Sequence, residues 1–286
     1  MKVTAFAPGH ISCFFEPFFS QDLSRTGSRG AGINITLGAT SEVFVKNSNR
    51  QNIEVYINNK KSNAQVTKLA IKYLIGKNPL HVVVKTYLDL PISQGFGMSA
   101  AGAISATFAL SKIIGVSTND AIHASHFAEV QLKTGLGDVV ASCFGGIEIR
   151  KSAGLPPWGL IEHIPGNFNL VLCVIGKTIS TKKVLEDESK INKIKEYGKF
   201  CTKKLLENPS IENLFYQSQI FTKNSGLADQ HILKAINAAN RYGKASMCML
   251  GNSVFAMGKT KELCNVLFPF GKIYVCTVDE NGARIL

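Results

Sequence analysis

The sequence predicts a mixed α+β protein with two domains, and three observations lead to this class. Short β-rich runs separated by Gly, Asn and Ser fill residues 3–57. Helical patterns then mix with strands without the strict strand–helix–strand repeat of a parallel α/β sheet. Residues 152–166 carry three prolines and Trp158, which indicates a boundary between two domains.

Alternating or β-branched residues predict the strands of the N-terminal half. These strands are expected at 3–7, 11–15, 33–37, 42–45, 53–57, 81–88 and 146–149. Helical periodicity predicts three helices, at 66–75, 99–114 and 119–132. Thr118 is the expected N-cap of the third helix, and Asp120 in its first turn suits the positive end of the helix dipole.

The C-terminal half repeats this mixture. Strands are expected at 170–175, 245–250, 254–257 and 273–278. Helices are expected at 189–206, 211–222 and 229–240, with a short helix near Leu263.

Composition excludes several classes of protein. Of the 286 residues, 45% are hydrophobic and 18% charged, which excludes a disordered chain. The seven cysteines are scattered without a Cys-x-x-Cys pair, which argues against a disulfide framework or zinc ribbon and favours the reducing cytoplasm. Pro8, Gly9 and Glu16 interrupt the N-terminal apolar run, so no secretory signal is expected. The uncharged stretch 90–111 contains Pro91 and glycines, and it predicts a buried helix instead of a membrane span.

The net charge of +12 favours an anionic partner: nucleic acid, an anionic membrane surface, or a small phosphorylated or carboxylated ligand. The densest basic block is 177–204. Its lysines lie at nearly every helical angle and it contains no arginine, which predicts a solvated helix face better than a nucleic-acid groove.

The most specific motif is the run 91–101, in which a glycine loop leads directly into a helix of small residues. Glycines at 95 and 97 permit a tight turn, and the free amides of a helix N-terminus attract an anion. The sequence therefore predicts a phosphate-binding loop, although a tight turn without a ligand is the alternative for this motif taken alone. The candidate binding residues are Gly95, Phe96, Gly97, Met98, Ser99 and Ala100.

Three oxygen-bearing side chains add chemistry to this loop. Ser99 at the helix start and Glu129 on the next helix are hard oxygen ligands of the kind that Mg²⁺ prefers alongside phosphates. Asp138 follows a glycine turn that suits a general base presented to a cleft, with a simple helix cap as the alternative.

Together these residues resemble the GHMP kinase superfamily, which includes galactokinase, homoserine kinase and mevalonate kinase. Its motif Pro-x-x-x-Gly-Leu-Gly-Ser-Ser-Ala-Ala is met at 91–101, with Phe96 for Leu and Met98 for the first Ser. The superfamily's Mg²⁺-binding glutamate matches Glu129. Its catalytic aspartate, seven residues before a Gly-Gly pair, matches Asp138.

Within the superfamily the chain is similar to the archaeal pantoate kinase family of coenzyme A biosynthesis. The residues that carry this similarity are the blocks 7–12, 14–17, 26–32, 135–141 and 145–146. The resemblance implies ATP-dependent phosphorylation of the 4-hydroxyl of pantoate, with Asp138 as base and Mg²⁺ held by Ser99 and Glu129.

The resemblance also implies residues that bind the acceptor. Arg150, at a strand end, is suited to a bidentate pair with the pantoate carboxylate, and an exposed strand-end charge is its alternative. His10 stands where mevalonate kinases carry a lysine. The substrate-binding candidates are Ser28, His126, Arg150 and His10.

The implied architecture has two parts. Residues 1–155 form a domain like domain 2 of ribosomal protein S5, with the ATP-binding loop, and 156–286 form a ferredoxin-like α+β domain. The third superfamily motif is degenerate at 249–253. A cytoplasmic homodimer without nucleic-acid or membrane partners is expected. The alternatives are a kinase for homoserine, mevalonate or shikimate, or a basic nucleic-acid-binding module, since this N-terminal topology recurs in ribosomal and translation-factor proteins.

Overall fold

Two β-sheets organise the protein, whose computed structural model describes residues 2–176, 184 and 187–286. The eight strands of the first sheet are β1 Lys2–Phe18, β2 Gly27–Asn47, β3 Asn52–Ile57, β4 Lys60–Ser62, β5 Leu80–Leu88, β6 Ile147–Ser152, β7 Leu160–Ile164 and β12 Arg284–Ile285. The four strands of the second sheet are β8 Asn169–Val174, β9 Gly243–Met247, β10 Ser253–Gly258 and β11 Lys272–Thr277.

The helices of the described residues fall into two groups along the chain. Before β8 lie α1 Gln65–Ile75, α2 Met98–Ile114, α3 Thr118–Leu132 and α4 Asp138–Phe144. After β8 lie α5 Glu188–Glu207, α6 Ile211–Asn224, α7 Gln230–Ala239 and α8 Thr260–Leu267. The predicted α+β class is confirmed, since strands and helices mix in both halves.

Two long antiparallel strands, β1 and β2, replace the four short strands that the sequence predicts. The ladder shifts register between Pro8 and Gly9 and again between Ser12 and Phe14. Such bulges let a ladder continue past Pro8, which has no backbone N–H to donate. Residues 30–33 of β2 pair with β6 and residues 39–47 pair with β5, so β2 joins two branches of the sheet.

The second sheet has the strand order β11-β8-β10-β9, and every pair in it is antiparallel. In chain order its strands are therefore arranged 4-1-3-2. Helices α5, α6 and α7 connect the first strand to the second, and α8 connects the third to the fourth. This is the ferredoxin-like arrangement expected of the C-terminal part.

Helix α2 occupies the centre of the N-terminal half, with Met98 and every residue from 100 to 111 buried. Its small side chains allow it to pack closely on β1 and β2. Ser105 Oγ lies 2.8 Å from Ser41 Oγ on β2, and Thr107 Oγ1 lies 2.8 Å from Ser125 Oγ on α3. These contacts satisfy buried hydroxyls and join the middle of α2 to the sheet and to α3.

The N-cap of α3 is Ser117, so the expectation of Thr118 is wrong by one residue. The Ser117 side chain accepts from the Asp120 backbone N–H, and the Asp120 carboxylate accepts from Ser117 in return. Both hydrogen bonds of a capping box are therefore present, with Asp120 in the predicted first turn.

Four of the elements named above lie where none was predicted: helix α4, strand β7 and the short strands β4 and β12. Helix α4 is only seven residues long, too short to show a helical period in the sequence. Strand β7 lies inside the proline-rich segment and pairs with β6, so the first sheet continues to Ile164. The change from one sheet to the other falls between Ile164 and Asn169, while a domain boundary at residue 155 stays a prediction.

The basic block 177–204 lies partly outside the described residues. Its residues 188–204 belong to α5, where Ile191, Ile194 and Cys201 are buried and the lysines lie on the outer face. No helix among the described residues is both long and apolar enough to span a membrane. All seven cysteines are described, and each is a free thiol.

Candidate active site

The glycine loop turns through three left-handed residues before α2 begins. Ser93, Gly95 and Gly97 have φ angles of 60°, 81° and 61°. Glycine adopts this region without strain, which explains its use at 95 and 97. Gly97 occupies the N-cap position of α2, and no side chain caps the helix. The first-turn amides of α2 are therefore suited to an anionic ligand.

The second sheet supports this loop from behind. The turn between β9 and β10 packs against it: the Gly251 Cα lies on the backbone of Gln94 and Gly95, where a Cβ would clash. Ser253 Oγ donates to the carbonyl of Gln94. The degenerate third motif at 249–253 thus holds the loop in place, and Leu250 faces the same cleft as the loop.

A cleft of about 880 Å³ opens beside the loop. Its volume lies in the range of small-molecule sites. The structure brings nine of the twelve candidate residues to its wall, namely Ser28, Gly95, Phe96, Gly97, Met98, Ser99, Ala100, Glu129 and Asp138. The other three candidates, His10, His126 and Arg150, are buried and do not line the cleft.

Asp138 is the first residue of α4, and its side chain is 26% exposed toward the cleft. His10 on β1 donates from Nδ1 to its Oδ1 over 2.7 Å. Burial would raise the pKa of Asp138, but hydrogen bonds from His10 and Ser12 and the charges of His10 and Arg150 lower it below its usual value. Asp138 therefore faces the cleft as an ionised carboxylate.

His10 is completely buried between two carboxylates. Its Nε2 donates to Oε1 of Glu148 over 2.8 Å, while Nδ1 donates to Asp138. Burial lowers the pKa of His10, but the two carboxylates outweigh it and raise that pKa above the ordinary value of 6.5. Donation from both ring nitrogens requires the imidazolium form.

Arg150 on β6 is only 2% exposed, which excludes the alternative of an exposed strand-end charge. Its Nη1 donates to Glu148, and its Nε and Nη2 are buried without a hydrogen-bond partner among the described residues. A Cβ added at Gly137 would lie 2.9 Å from Arg150 Nε and 2.5 Å from Ser28 Oγ. Unpaired guanidinium donors therefore lie beside Ser28, next to Asp138.

Glu129 on α3 is buried and contributes to the wall of the cleft. Burial, together with the charge of Asp138, raises its pKa well above the usual value. Such a carboxyl suits a cation, which supplies the missing counter-charge. Among the described residues no group of three His, Cys, Asp or Glu forms a metal site. One serine and one carboxylate fit Mg²⁺, which keeps several waters and binds phosphate oxygens.

His126 lies away from the cleft, on the buried side of α3. Its Nε2 donates to the Leu23 carbonyl over 3.1 Å, and its pKa is lowered by burial. The ring therefore holds the segment between β1 and β2 against α3. A direct substrate contact by His126 stays a prediction.

Sequence reasoning did not identify Glu148 as a site residue. It shares a face of β6 with Arg150, two residues along, and joins Arg150 to His10. The signal in the sequence was the Glu-x-Arg pair inside an apolar strand. Two opposite charges two residues apart lie on the same face of a strand, and when buried they are expected to pair. Ser12 was also missed as a site residue, and it lines the cleft.

The family model described as "GHMP kinases N terminal domain" matches residues 63–146. A pantoate kinase of Methanocaldococcus jannaschii is 33% identical over 96% of this chain and 99% of its own. A pantoate kinase of Thermococcus kodakarensis is 32% identical over 92% of this chain and 89% of its own. A solved structure titled "Phosphotransferase related to CoA biosynthesis pathway" has a TM-score of 0.91 at 26% identity, covering 100% of this chain and 99% of that one.

The matched motif region contains the glycine loop, Glu129 and Asp138, and the fold agrees over the full chain. The chain is thus a kinase of the GHMP type. Within that class it belongs to the pantoate kinase family, as the full-length identity above 30% shows.

Proposed function

We propose that the protein transfers the γ-phosphoryl group of ATP to the 4-hydroxyl of pantoate, giving 4-phosphopantoate. The observation that carries the proposal is the convergence of Ser99, Glu129 and Asp138 on one cleft beside the uncapped start of α2. The family membership supports the choice of pantoate and places the reaction in coenzyme A biosynthesis.

The glycine loop and first turn of α2 are suited to the phosphates. Amides of Met98, Ser99 and Ala100 offer donors at the positive end of a helix of 17 residues. Ser99 Oγ and the Glu129 carboxylate would hold Mg²⁺. The ion, when bound, neutralises charge on the transferred phosphoryl group.

The acceptor carboxylate is assigned to Arg150 and Ser28. The guanidinium offers Nε and Nη2 as two parallel donors, which match the two oxygens of a carboxylate. Ser28 Oγ lies on the same side of Gly137 and adds a third donor. Asp138 directly follows Gly137 in the chain. Pantoate bound by Arg150 and Ser28 would therefore direct its hydroxyl end to Asp138.

Asp138 orients the acceptor hydroxyl and takes its proton as the oxygen attacks the γ-phosphorus. The bond between that phosphorus and the β–γ bridging oxygen breaks in line, and ADP leaves. In the loose transition state of phosphoryl transfer, the bond to the attacking oxygen is only slightly formed. The hydroxyl proton can therefore be taken by a weak base, and a carboxylate with a lowered pKa is adequate. His10 holds the carboxylate in place through Nδ1.

The test is ADP release coupled to a reporter enzyme, measured with pantoate, homoserine, mevalonate and shikimate. We expect pantoate to have the highest kcat/KM and ³¹P NMR to show a phosphomonoester on its primary hydroxyl. Faster turnover of one of the other three acceptors contradicts the choice of pantoate. Salt-sensitive RNA binding without ATP turnover contradicts the kinase as a whole.

We also propose a cytoplasmic homodimer that acts on small molecules, without nucleic-acid or membrane partners. The seven free thiols support a reducing compartment. Light scattering at several concentrations tests the dimer, and a monomer mass throughout contradicts it. For the two domains, 1–155 and 156–286, limited proteolysis is the measurement: cleavage concentrated near residue 155 supports the boundary.

A further inference from the structure

Glu148 joins the two halves of the site from a fully buried position on β6. Its Oε1 accepts from His10 Nε2 on one side and from Arg150 Nη1 on the other, while Oε2 has no partner among the described residues. Glu148 does not line the cleft, and neither do its partners His10 and Arg150. Its influence on a ligand would pass through Arg150, whose Nε lies beside the cleft residues Ser28 and Gly137, and through His10, which contacts Asp138 in the cleft wall.

The charges of this cluster balance only with Glu148 present. Four groups face one another: Asp138 from α4, His10 from β1, and Glu148 and Arg150 from β6. Two carboxylates against an imidazolium and a guanidinium sum to zero. Removing the Glu148 charge leaves two buried cations against one carboxylate, an arrangement that is strongly unfavourable in a dry interior.

Glu148 also determines which edge of Arg150 is free. Because Glu148 accepts from Nη1, the edge formed by Nε and Nη2 is left for another acceptor. The Nε end of this edge lies beside Ser28 and Gly137. That edge has the geometry for a bidentate carboxylate. Without Glu148, Arg150 loses the carboxylate that fixes its Nη1, and its remaining contact within the cluster is with His10 Nε2, 3.5 Å away.

Gly32 on β2 provides the room for this contact. A Cβ at Gly32 would lie 2.7 Å from Glu148 Oε1 and would also press on the His10 ring. Its backbone is in register with Glu148 in the β2–β6 ladder. The absence of a side chain at this position is therefore a condition for the His10–Glu148 hydrogen bond.

We propose that Glu148 is a positioning residue of the kinase: its carboxylate aims the Nε–Nη2 edge of Arg150 at the acceptor's carboxylate and holds His10 against Asp138. The first part of this assignment rests on the proposed function, because it takes pantoate as the acceptor. The second part does not depend on the acceptor.

The kinetic test compares Glu148→Gln, which keeps the size but removes the charge, with Glu148→Asp, which keeps the charge. Glu148→Gln lowers kcat/KM for pantoate by about ten- to hundredfold, the range expected for one charge-assisted buried hydrogen bond, with KM for ATP unchanged. Glu148→Asp recovers a large part of that loss. Glu162→Gln, an exposed carboxylate on β7, is the matched control and retains full activity.

Equal changes in the two KM values, or no better activity in Glu148→Asp than in Glu148→Gln, overturn the proposal, because a structural role alone predicts both. Retention of wild-type constants by Glu148→Gln overturns it as well.

A second measurement needs no substrate. In protein labelled with ¹⁵N-histidine, a pH titration of the wild type shows both ring nitrogens of His10 still protonated above the ordinary histidine value of 6.5, because each nitrogen donates to a carboxylate. The signal is assigned by its loss in His10→Gln. A neutral His10 in the wild-type protein overturns the proposal even if Glu148→Gln does not fold. If wild type fails to phosphorylate pantoate while His10 is doubly protonated, the acceptor assignment fails and the His10 part stands.

Discussion

His10 Nδ1 lies 2.7 Å from Asp138 Oδ1, although the two residues are 128 positions apart in the chain. The register of β1 and the start of α4 bring them together, with Gly97 of the glycine loop packed against the backbone of His10. A single residue of β1 thus contacts both the candidate base and the candidate phosphate loop. The site depends on this strand as much as on the motif that identifies it.

Asp138→Asn should abolish most of the turnover and leave ATP binding intact. The amide cannot accept the hydroxyl proton, and the loss of a general base lowers kcat by about 10² to 10⁴. Single-turnover kinetics with pantoate and fluorescence titration with an ATP analogue separate the two effects. Near-normal kcat would remove the base assignment. Glu162→Gln serves as control, since that side chain is half-exposed on β7.

Arg150→Lys should raise KM for pantoate by about tenfold or more and leave KM for ATP unchanged. Lysine keeps the charge but loses the two parallel donors of the guanidinium. The neighbouring exposed residue offers a control, Lys151→Ala, whose constants should match wild type. A parallel rise in both KM values would instead assign Arg150 to the nucleotide or the fold.

Glu129→Gln should raise the Mg²⁺ concentration needed for half-maximal rate. The buried carboxylate contributes a full negative charge to the ion when deprotonated, and the amide contributes only a dipole. A Mg²⁺ titration at saturating ATP and pantoate measures the shift. An unchanged titration curve rules out Glu129 as a ligand.

Gly251→Ala should raise KM for ATP, because its methyl group would press on the backbone of Gln94 and Gly95 and displace the loop. The thermal midpoint should fall as well, since overpacking typically costs about 1–3 kcal/mol. Gly226→Ala is the control: its φ of 73° carries strain, but an added Cβ meets no atom within 4 Å. A normal KM for ATP in Gly251→Ala would show that the third motif does not support the loop.

The imidazolium of His10 should make stability depend on pH above the usual histidine range. Its folded-state pKa is raised above the ordinary 6.5, so its contribution is fully present below pH 6.5 and is lost as the pH rises through the folded value. The difference in unfolding free energy between wild type and His10→Gln should therefore shrink on the alkaline side. Urea unfolding from pH 6 to pH 9 measures it. A difference that stays constant across this range contradicts the charged form of His10.

The parts of the candidate site that lie in short sequence motifs were predictable. The glycines at 95 and 97, Ser99, and the carboxylates 129 and 138 stand in short motifs with fixed spacing, and the structure brings them to one cleft. Glu148 is different, because its role arises only from β-sheet register, which pairs it with Gly32 and places it against His10. Register between strands more than a hundred residues apart cannot be read from either strand alone.

The fold was predictable to a similar extent. The long apolar pattern of α2 predicted the helix, and its observed start at Met98 differs from the expectation by one residue. By contrast, β1 and β2 run through residues that ordinarily end strands, such as Pro8, because bulges accommodate them. Helix α4 offers only two turns, and its boundary depends on the tertiary contacts of Asp138.

Because the four charges around His10 cancel, the basic character of the protein, whose formal net charge is +12 with histidines counted as neutral, comes from residues outside this cluster. Both reactants are anions, so the basic exterior draws them in from a distance, and dissolved salt weakens that attraction within a Debye length of about 8–10 Å. His10, Glu148 and Arg150 are buried and feel little of this screening. Ionic strength should accordingly act on how often the reactants arrive and hardly at all on how fast an assembled complex reacts.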